Sequence, residues 1–298
     1  FGGVGTSMIF EGLQFHNGTT AISVKTNNLD ADTVRISNCH FIGQAGPSIT
    51  IDSSSNSTLL TIDKCRYISP LTGTAQQFVN AQSGDSVIIS DSWIEAINTS
   101  AAIIVSNGTL SMRGVFCVPF GSNSVAWVDS YASIDIDGCR FGGESGGMKC
   151  VVRNYCTSST SYPITSSYLR IRCSTIFFSD APVKFYAIPN AFEYIDNTGD
   201  VNVPMMYIDG SVSASDLTNI GSIQSVWNIK SNSRRRGTQI NPAQGSATAI
   251  KGLPIVEVGQ CLSSPYTSSD VILNVGGFTG AYGVTTCLLY TSPSPRDV

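Results

Sequence analysis

One eight-residue phrase recurs along this chain of 298 residues. It reads Met8-Ile9-Phe10-Glu11-Gly12-Leu13-Gln14-Phe15 near the start. It returns as Val34-Arg35-Ile36-Ser37-Asn38-Cys39-His40-Phe41 and as Leu60-Thr61-Ile62-Asp63-Lys64-Cys65-Arg66-Tyr67. Further copies start at Val87, Leu110 and Ile134, and a weaker one at Leu169. The steps between starts are 26, 26, 27, 23, 24 and 35 residues. A near-constant period of this size means that one small unit is stacked many times, because a single unit cannot bury its own apolar face.

The slots of the phrase carry the geometry. Apolar residues alternate with polar ones over its first half, which is a strand pattern. The turn slot then holds Gly12, Asn38, Lys64, Asp91, Gly114, Gly138 and Cys173. Gly, Asn and Asp tolerate the left-handed backbone of a sharp bend; Lys64 and Cys173 fit it less well. The next slot holds Leu13, Cys39, Cys65, Ser92, Val115, Cys139 and Ser174. Its mixture of Leu, Val and Cys reads as a demand for buried bulk rather than for sulfur chemistry, since free Cys behaves as a small hydrophobe. The last slot holds Phe15, Phe41, Tyr67, Ile94, Cys117, Phe141 and Ile176, an inward apolar ladder.

A second strand-like phrase follows each start by fourteen to eighteen residues. These phrases are Ile22–Val24, Ile49–Ile51, Phe78–Val79, Ile103–Val105, Val125–Trp127, Cys150–Val152 and Val183–Phe185, with Met205–Ile208 closing the series. Helical periodicity is absent. The expected fold is all-β, a right-handed parallel β-helix of about seven to eight coils.

Composition narrows the partners. Charged residues are 13% of the chain, about half the usual share of roughly 25%. Ser, Thr, Asn and Gly must therefore supply a neutral hydrogen-bonding surface. A net charge of -4 and a pI near 5.1 leave no basic footprint for nucleic acid. No apolar run reaches the length of a membrane span. No Cys/His spacing suggests zinc. The only two histidines, His16 and His40, lie in variable slots. No metal and no cofactor are assigned.

The phrases at Val34–Phe41 and Ser48–Ile51 resemble the right-handed parallel β-helix of the pectate-lyase-like group, which includes polysaccharide lyases, glycoside hydrolases and bacteriophage tailspikes. The resemblance covers about residues 5–210. It implies a polysaccharide or cell-surface glycan as partner, an extracellular or virion-surface location, and, for the tailspike kind, a homotrimer. The Asn-x-Asp, Asp-Asp, Gly-His-Gly and Arg-x-Lys series of polygalacturonases is missing, as is the acid cluster that holds calcium in pectate lyases. Many activities share this fold, so function rests on the site.

Three readings stand side by side: a glycan-binding adhesion protein of the tailspike or tail-fibre type, a secreted polysaccharide lyase or glycoside hydrolase, and a purely structural solenoid. For an enzyme, the carboxylates of a glycosidase lie about 5 to 10 Å apart, which here means one coil or adjacent coils. Asp129 and Arg153 fall at similar phase in successive second-strand phrases and form the candidate catalytic pair. Asp63 and Asp137 share a slot but are three repeats apart, too far to pair. Asp52, Tyr155 and Tyr186 are the candidate substrate-binding residues. Trp93, Trp127, Tyr131 and Tyr162 are further aromatics whose rings could stack on sugar faces, and packing is the competing role for each. The sequons at Asn17, Asn56, Asn98 and Asn107 carry little weight in a chain so rich in Asn, Ser and Thr.

Residues 1–212 read as the β-helix. Residues 213–252, with Arg234-Arg235-Arg236, read as a connector. Residues 253–286 read as the opening of a truncated second β domain. The string from Cys287 to Asp297 resembles the translation of a sequencing adapter, which makes 287–298 an adapter-derived tail and the whole an assembled environmental or transcriptomic fragment. Setting Cys287 aside leaves eight of nine cysteines. An insertion from Gly142 to Ser167 carries Cys150 and Cys156, a disulfide candidate, and reads as a projecting binding loop.

Overall fold

The structure, a computed structural model, describes residues 7–26, 33–53, 58–69, 77–81, 85–97, 101–105, 108–120, 126–130, 133–142, 150–154, 168–176, 183–186, 189, 191–199, 204–208, 226–231, 236–240, 273–275 and 278–280. At positions 26, 52, 53, 97, 119, 120, 126, 129, 130 and 199, and from 204 onward, only the backbone is described. Three ladders of parallel strands form a β-solenoid, with no α-helix among the described residues. Five successive three-strand turns, from Thr33–Ser37 to Cys150–Asn154, make its closed middle.

The first ladder contains Ser7–Glu11, Thr33–Ser37, Leu59–Asp63, Asp85–Ser90, Gly108–Arg113, Ser133–Asp137, Tyr168–Arg172 and the start of Ala191–Gly199. Its register pairs Met8 with Val34, Val34 with Leu60, Leu60 with Val87, Val87 with Leu110, Leu110 with Ile134 and Ile134 with Leu169. Those are the starts of the repeated phrase, so the sequence frame is the hydrogen-bonding frame. The 35-residue step keeps the same register. The second ladder runs from Gln14–His16 through His40–Ile42, Arg66–Ile68, Trp93–Ile97, Phe116–Phe120, Arg140–Phe141 and Thr175–Ile176, and joins the first through Ala191–Gly199. The third runs from Ile22–Thr26 through Ile49–Ser53, Val79–Ala81, Ala101–Val105, Ala126–Ser130, Cys150–Asn154 and Val183–Phe185 to Pro204–Ile208. Val226–Ser231 and Arg236–Ile240 extend the first and third ladders. Leu273–Val275 and Phe278–Gly280 form an antiparallel hairpin.

Inward columns are wholly buried. Val34, Leu60, Val87, Ile134 and Leu169 have no exposed surface, nor do Ile36, Ile62, Ile89, Ile136 and Ile171 one step along the same strands. Each such side chain contributes roughly 1.5–3 kcal/mol by leaving water. The last-slot ladder is buried from Phe41 on, and half-buried Phe15 stacks on Phe41 at a centroid distance of 5.1 Å.

Every turn-slot residue has positive φ: Gly12, Asn38, Lys64, Asp91, Gly114, Gly138 and Cys173 lie between 45° and 67°. Lys64 and Cys173, the two poor fits, adopt the same left-handed bend as the glycines. Asp196 extends the series at 52°. The bend turns the chain from the first ladder into the second while the turn-slot N–H reaches the next coil: Asn38 donates to the Asp63 carbonyl at 3.1 Å, and Lys64 to that of Ser90 at 3.1 Å.

The slot after the bend corrects the expectation of bulk alone. Cys39 Sγ lies 3.3 Å from the Ser37 carbonyl, and Cys65 Sγ 3.3 Å from that of Asp63. Ser92 Oγ donates to the Ser90 carbonyl at 2.7 Å and accepts the Cys65 N–H at 3.0 Å. Ser174 does the same between Arg172 and Cys139. Asn197 accepts the Ser174 N–H at 2.9 Å and donates to the Ile171 carbonyl at 2.7 Å. The slot therefore selects a small side chain that can bond backbone groups left over by the bend, since buried polar groups must be paired. Val115 fills it with volume only. Leu13, expected to point inward, is 43% exposed on the first described turn.

The corner entering the third ladder stacks Ser48, Phe78, Ala102, Trp127 and Val151, all buried. Ala102 separates the two largest, so volumes compensate along the axis. Phe78 packs on Tyr67 at 4.9 Å and Trp127 faces Phe141 at 6.4 Å. Trp127 is thus a core residue and offers no ring to a sugar. It is Val128 that aligns with Ile103 and Val152, which shifts the expected Val125–Trp127 strand to Ala126–Ser130.

Gly108 sits at φ 108°, where an added Cβ would overlap the Asp85 carbonyl oxygen of the preceding coil. Gly108→Ala is expected to cost more than about 3 kcal/mol, whereas Gly138→Ala, with open space around it, costs only the left-handed penalty of about 1 kcal/mol. Asn197→Ala leaves two backbone groups unpaired and is expected to cost about 2–4 kcal/mol. Urea denaturation followed by far-UV circular dichroism ranks the three variants; equal losses for Gly108→Ala and Gly138→Ala would contradict the assigned register.

Candidate functional site

The solenoid has three outward faces, and strand alternation decides which variable residues each presents. On the third ladder one register column runs Ser23, Thr50, Asn80, Ile104, Asp129, Arg153 and Lys184. Asp129 and Arg153 are direct register partners on adjacent strands, about 4.8 Å apart across the sheet. Arg153 is half-buried; the Asp129 side chain lies outside the description. Asp52 pairs with Lys25, two residues further along its strand and three strands away from Asp129, so the backbone does not bring it to the pair. Tyr186 follows Val183–Phe185, is half-buried, and donates its N–H to the Asn154 carbonyl at 2.8 Å. Tyr155, Tyr131, Tyr162 and the Cys156 half of the expected disulfide lie outside the described residues. Cys150 is buried.

On the first ladder, Arg170 and Arg172 are paired with acids. Arg172 Nη2 holds both oxygens of Asp135, at 2.9 and 3.2 Å, and this hydrogen bond raises the guanidinium pKa further. Arg170 lies 3.5 Å from Glu193 and packs its guanidinium over the Tyr168 ring at 4.5 Å. These pairs link strands across the ladder. Partly exposed pairs of this kind contribute about 0–1 kcal/mol each.

The second ladder is different. Its outward column reads Gln14, His40, Arg66, Trp93, Phe116, Arg140, Thr175 and Thr198. Trp93 and Phe116 stack with centroids 4.4 Å apart and ring planes within 22°. Arg140 lies 4.9 Å over the Phe116 ring. Trp93 nevertheless stays 40% exposed, which is unusual for so large an apolar side chain. Arg66 occupies the strand on the other side of Trp93, with Glu95 3.8 Å away in the next outward position. No carboxylate pairs with Arg140 among the described residues. Reading the slot after the thiol position down the repeats would have found this row, because Arg66, Trp93, Phe116 and Arg140 fill it in four consecutive copies.

Three buried thiols offer no reactive centre. Burial pushes Cys65 up to about 11 and Cys139 up to about 12, and raises Cys117 well above its ordinary value. A thiolate is the reactive form, so these side chains are inert at neutral pH. No cluster of three or more His, Cys, Asp or Glu side chains suited to a metal occurs among the described residues. No described helix is long and apolar enough to cross a membrane. Comparison of the chain with protein-family models, with curated proteins and with solved structures finds no match.

Exposed Cys173 is expected to react with Ellman's reagent in the native protein at pH 8, while Cys39, Cys65, Cys117, Cys139 and Cys150 react only after unfolding. Peptide mapping of the labelled sites tests this. The raised folded-state pKa values also set a sign. Their stabilising effect is complete below the ordinary value of 9.0 and is lost as pH rises toward 11, because the unfolded thiols ionise first. Stability should therefore fall above pH 9, and less so in a Cys65→Ser, Cys139→Ser variant.

Proposed function

We propose that the protein is a polysaccharide-binding adhesion protein, of the tailspike or tail-fibre type, acting outside the cell or on a virion surface. The observation that carries this reading is the exposed Trp93 stacked on Phe116 on the outside of a rigid ladder. A flat ring held immobile presents an apolar face to the C–H side of a sugar at little entropic cost. The surrounding Ser, Thr and Asn positions of the outward columns supply neutral donors and acceptors for hydroxyl groups. Seven to eight coils, the connector, the truncated second β domain and assembly as a homotrimer belong to this same proposal.

The second reading is a secreted polysaccharide lyase or glycoside hydrolase. Its support is the register pairing of Asp129 with Arg153, which brings a carboxylate-bearing residue and a cationic one to neighbouring strands. An aspartate positioned by an arginine could move a proton at a uronic acid.

Incubation with a panel of capsular and plant polysaccharides, followed by sizing of the products and measurement of retention, separates the two. Retention on at least one glycan without shortening is the expected result. Chain shortening that is lost in Asp129→Asn would replace the adhesin with the enzyme, and absence of both retention and cleavage would leave a structural solenoid.

A further inference from the structure

The Trp93–Phe116 platform has cations at both ends. Arg66 precedes it by one strand and Arg140 follows it by one strand, so the row Arg66, Trp93, Phe116, Arg140 spans three strand spacings, roughly 14 Å along the solenoid axis. Both arginines are exposed. Phe116 supports the Arg140 guanidinium from below. Such stacking holds the cation in place while leaving its N–H fork free to bind a carboxylate or sulfate.

The contrast with the first ladder gives this row its meaning. There, Arg170 and Arg172 stand beside Glu193 and Asp135 and are neutralised within the fold. Here, Arg66 is ion-paired with Glu95 at 3.8 Å, while Arg140 stacks on Phe116 and has no carboxylate partner among the described residues. The chain as a whole carries a net charge of -4, so a general attraction for polyanions has no source. Any preference for acidic ligands must come from this local arrangement.

We infer that the outer row Arg66–Trp93–Phe116–Arg140 is a subsite for an acidic polysaccharide, one bearing carboxylate or sulfate groups, lying along the solenoid axis. A sugar ring rests on Trp93 and acid groups a few sugars apart meet the two arginines. The inference rests on the glycan-binding reading and adds the ligand's charge and direction to it. It also places recognition on the second ladder rather than on the Asp129–Arg153 column of the third.

The test uses affinity electrophoresis of the full chain through gels containing polygalacturonate, alginate or chondroitin sulfate, with dextran and galactomannan as neutral glycans and polyuridylate as a charge control. Variants are Trp93→Ala and the double variant Arg66→Gln, Arg140→Gln, all at exposed positions, with far-UV circular dichroism confirming the fold. Retention by at least one acidic glycan is expected, weakened about tenfold in each variant, with the neutral glycans and polyuridylate unretained. Retention by neutral glycans alone overturns the acidic subsite but leaves glycan binding standing. Retention by nothing overturns both. Retention on acidic glycans that the variants do not change places binding elsewhere and overturns the site, and equal retention on polyuridylate reduces it to bare charge.

Discussion

The whole solenoid depends on how the chain turns the corner between its first and second ladders. At each turn one residue takes a left-handed backbone, and from Asn38 onward the following side chain is buried. The bend breaks the simple ladder pairing. A carbonyl before it receives the turn-slot N–H of the preceding coil, as Asp63 does from Asn38. The same carbonyl is also met by the slot side chain of its own coil, here Cys65 Sγ. Both lone pairs are then occupied, and the buried corner carries little unpaired polarity. Ser92, Ser174 and Asn197 go further and accept the N–H of the preceding slot residue. One bend thus solves three problems: direction, burial and backbone satisfaction.

Because each corner repeats the last, equivalent residues stand above one another within one strand spacing. This makes the outer faces regular, and it turns sequence-distant residues into contacts. Asp135 and Arg172 form a two-oxygen ion pair across 37 positions of sequence. Trp93 and Phe116 stack although 23 residues separate them. A surface of this kind is rigid without being closed, so it suits recognition of an extended repeating ligand better than enclosure of a small one. Arg140, stacked on Phe116 with no carboxylate partner among the described residues, gives the second ladder a cation beside an aromatic pair, whereas Arg170 and Arg172 of the first are ion-paired.

The repeated phrase made most of this legible. Its six register pairings follow directly from the spacing of its copies, because alternation every two residues forbids a slip of one. Glycine, asparagine and aspartate marked the bends, and Lys64 and Cys173 could be placed there only by analogy with their neighbours. The thiol slot was read as bulk because composition alone does not reveal a hydrogen bond. Trp127 looked like a candidate surface ring because its strand carries consecutive buried residues at the corner, where simple alternation fails.

The sequence by itself determined the coil: strand phase, bend positions, inward columns and the neighbours each repeat slot must have. It did so because those features are local or periodic, and a period can be counted. Only the tertiary structure decided which variable residues face solvent together, which arginines are neutralised, and that slot side chains bond the backbone. These depend on which ladder a residue joins and on distances between side chains of successive coils. The steric fit of three sheets around one core sets those distances, and no single repeat contains them.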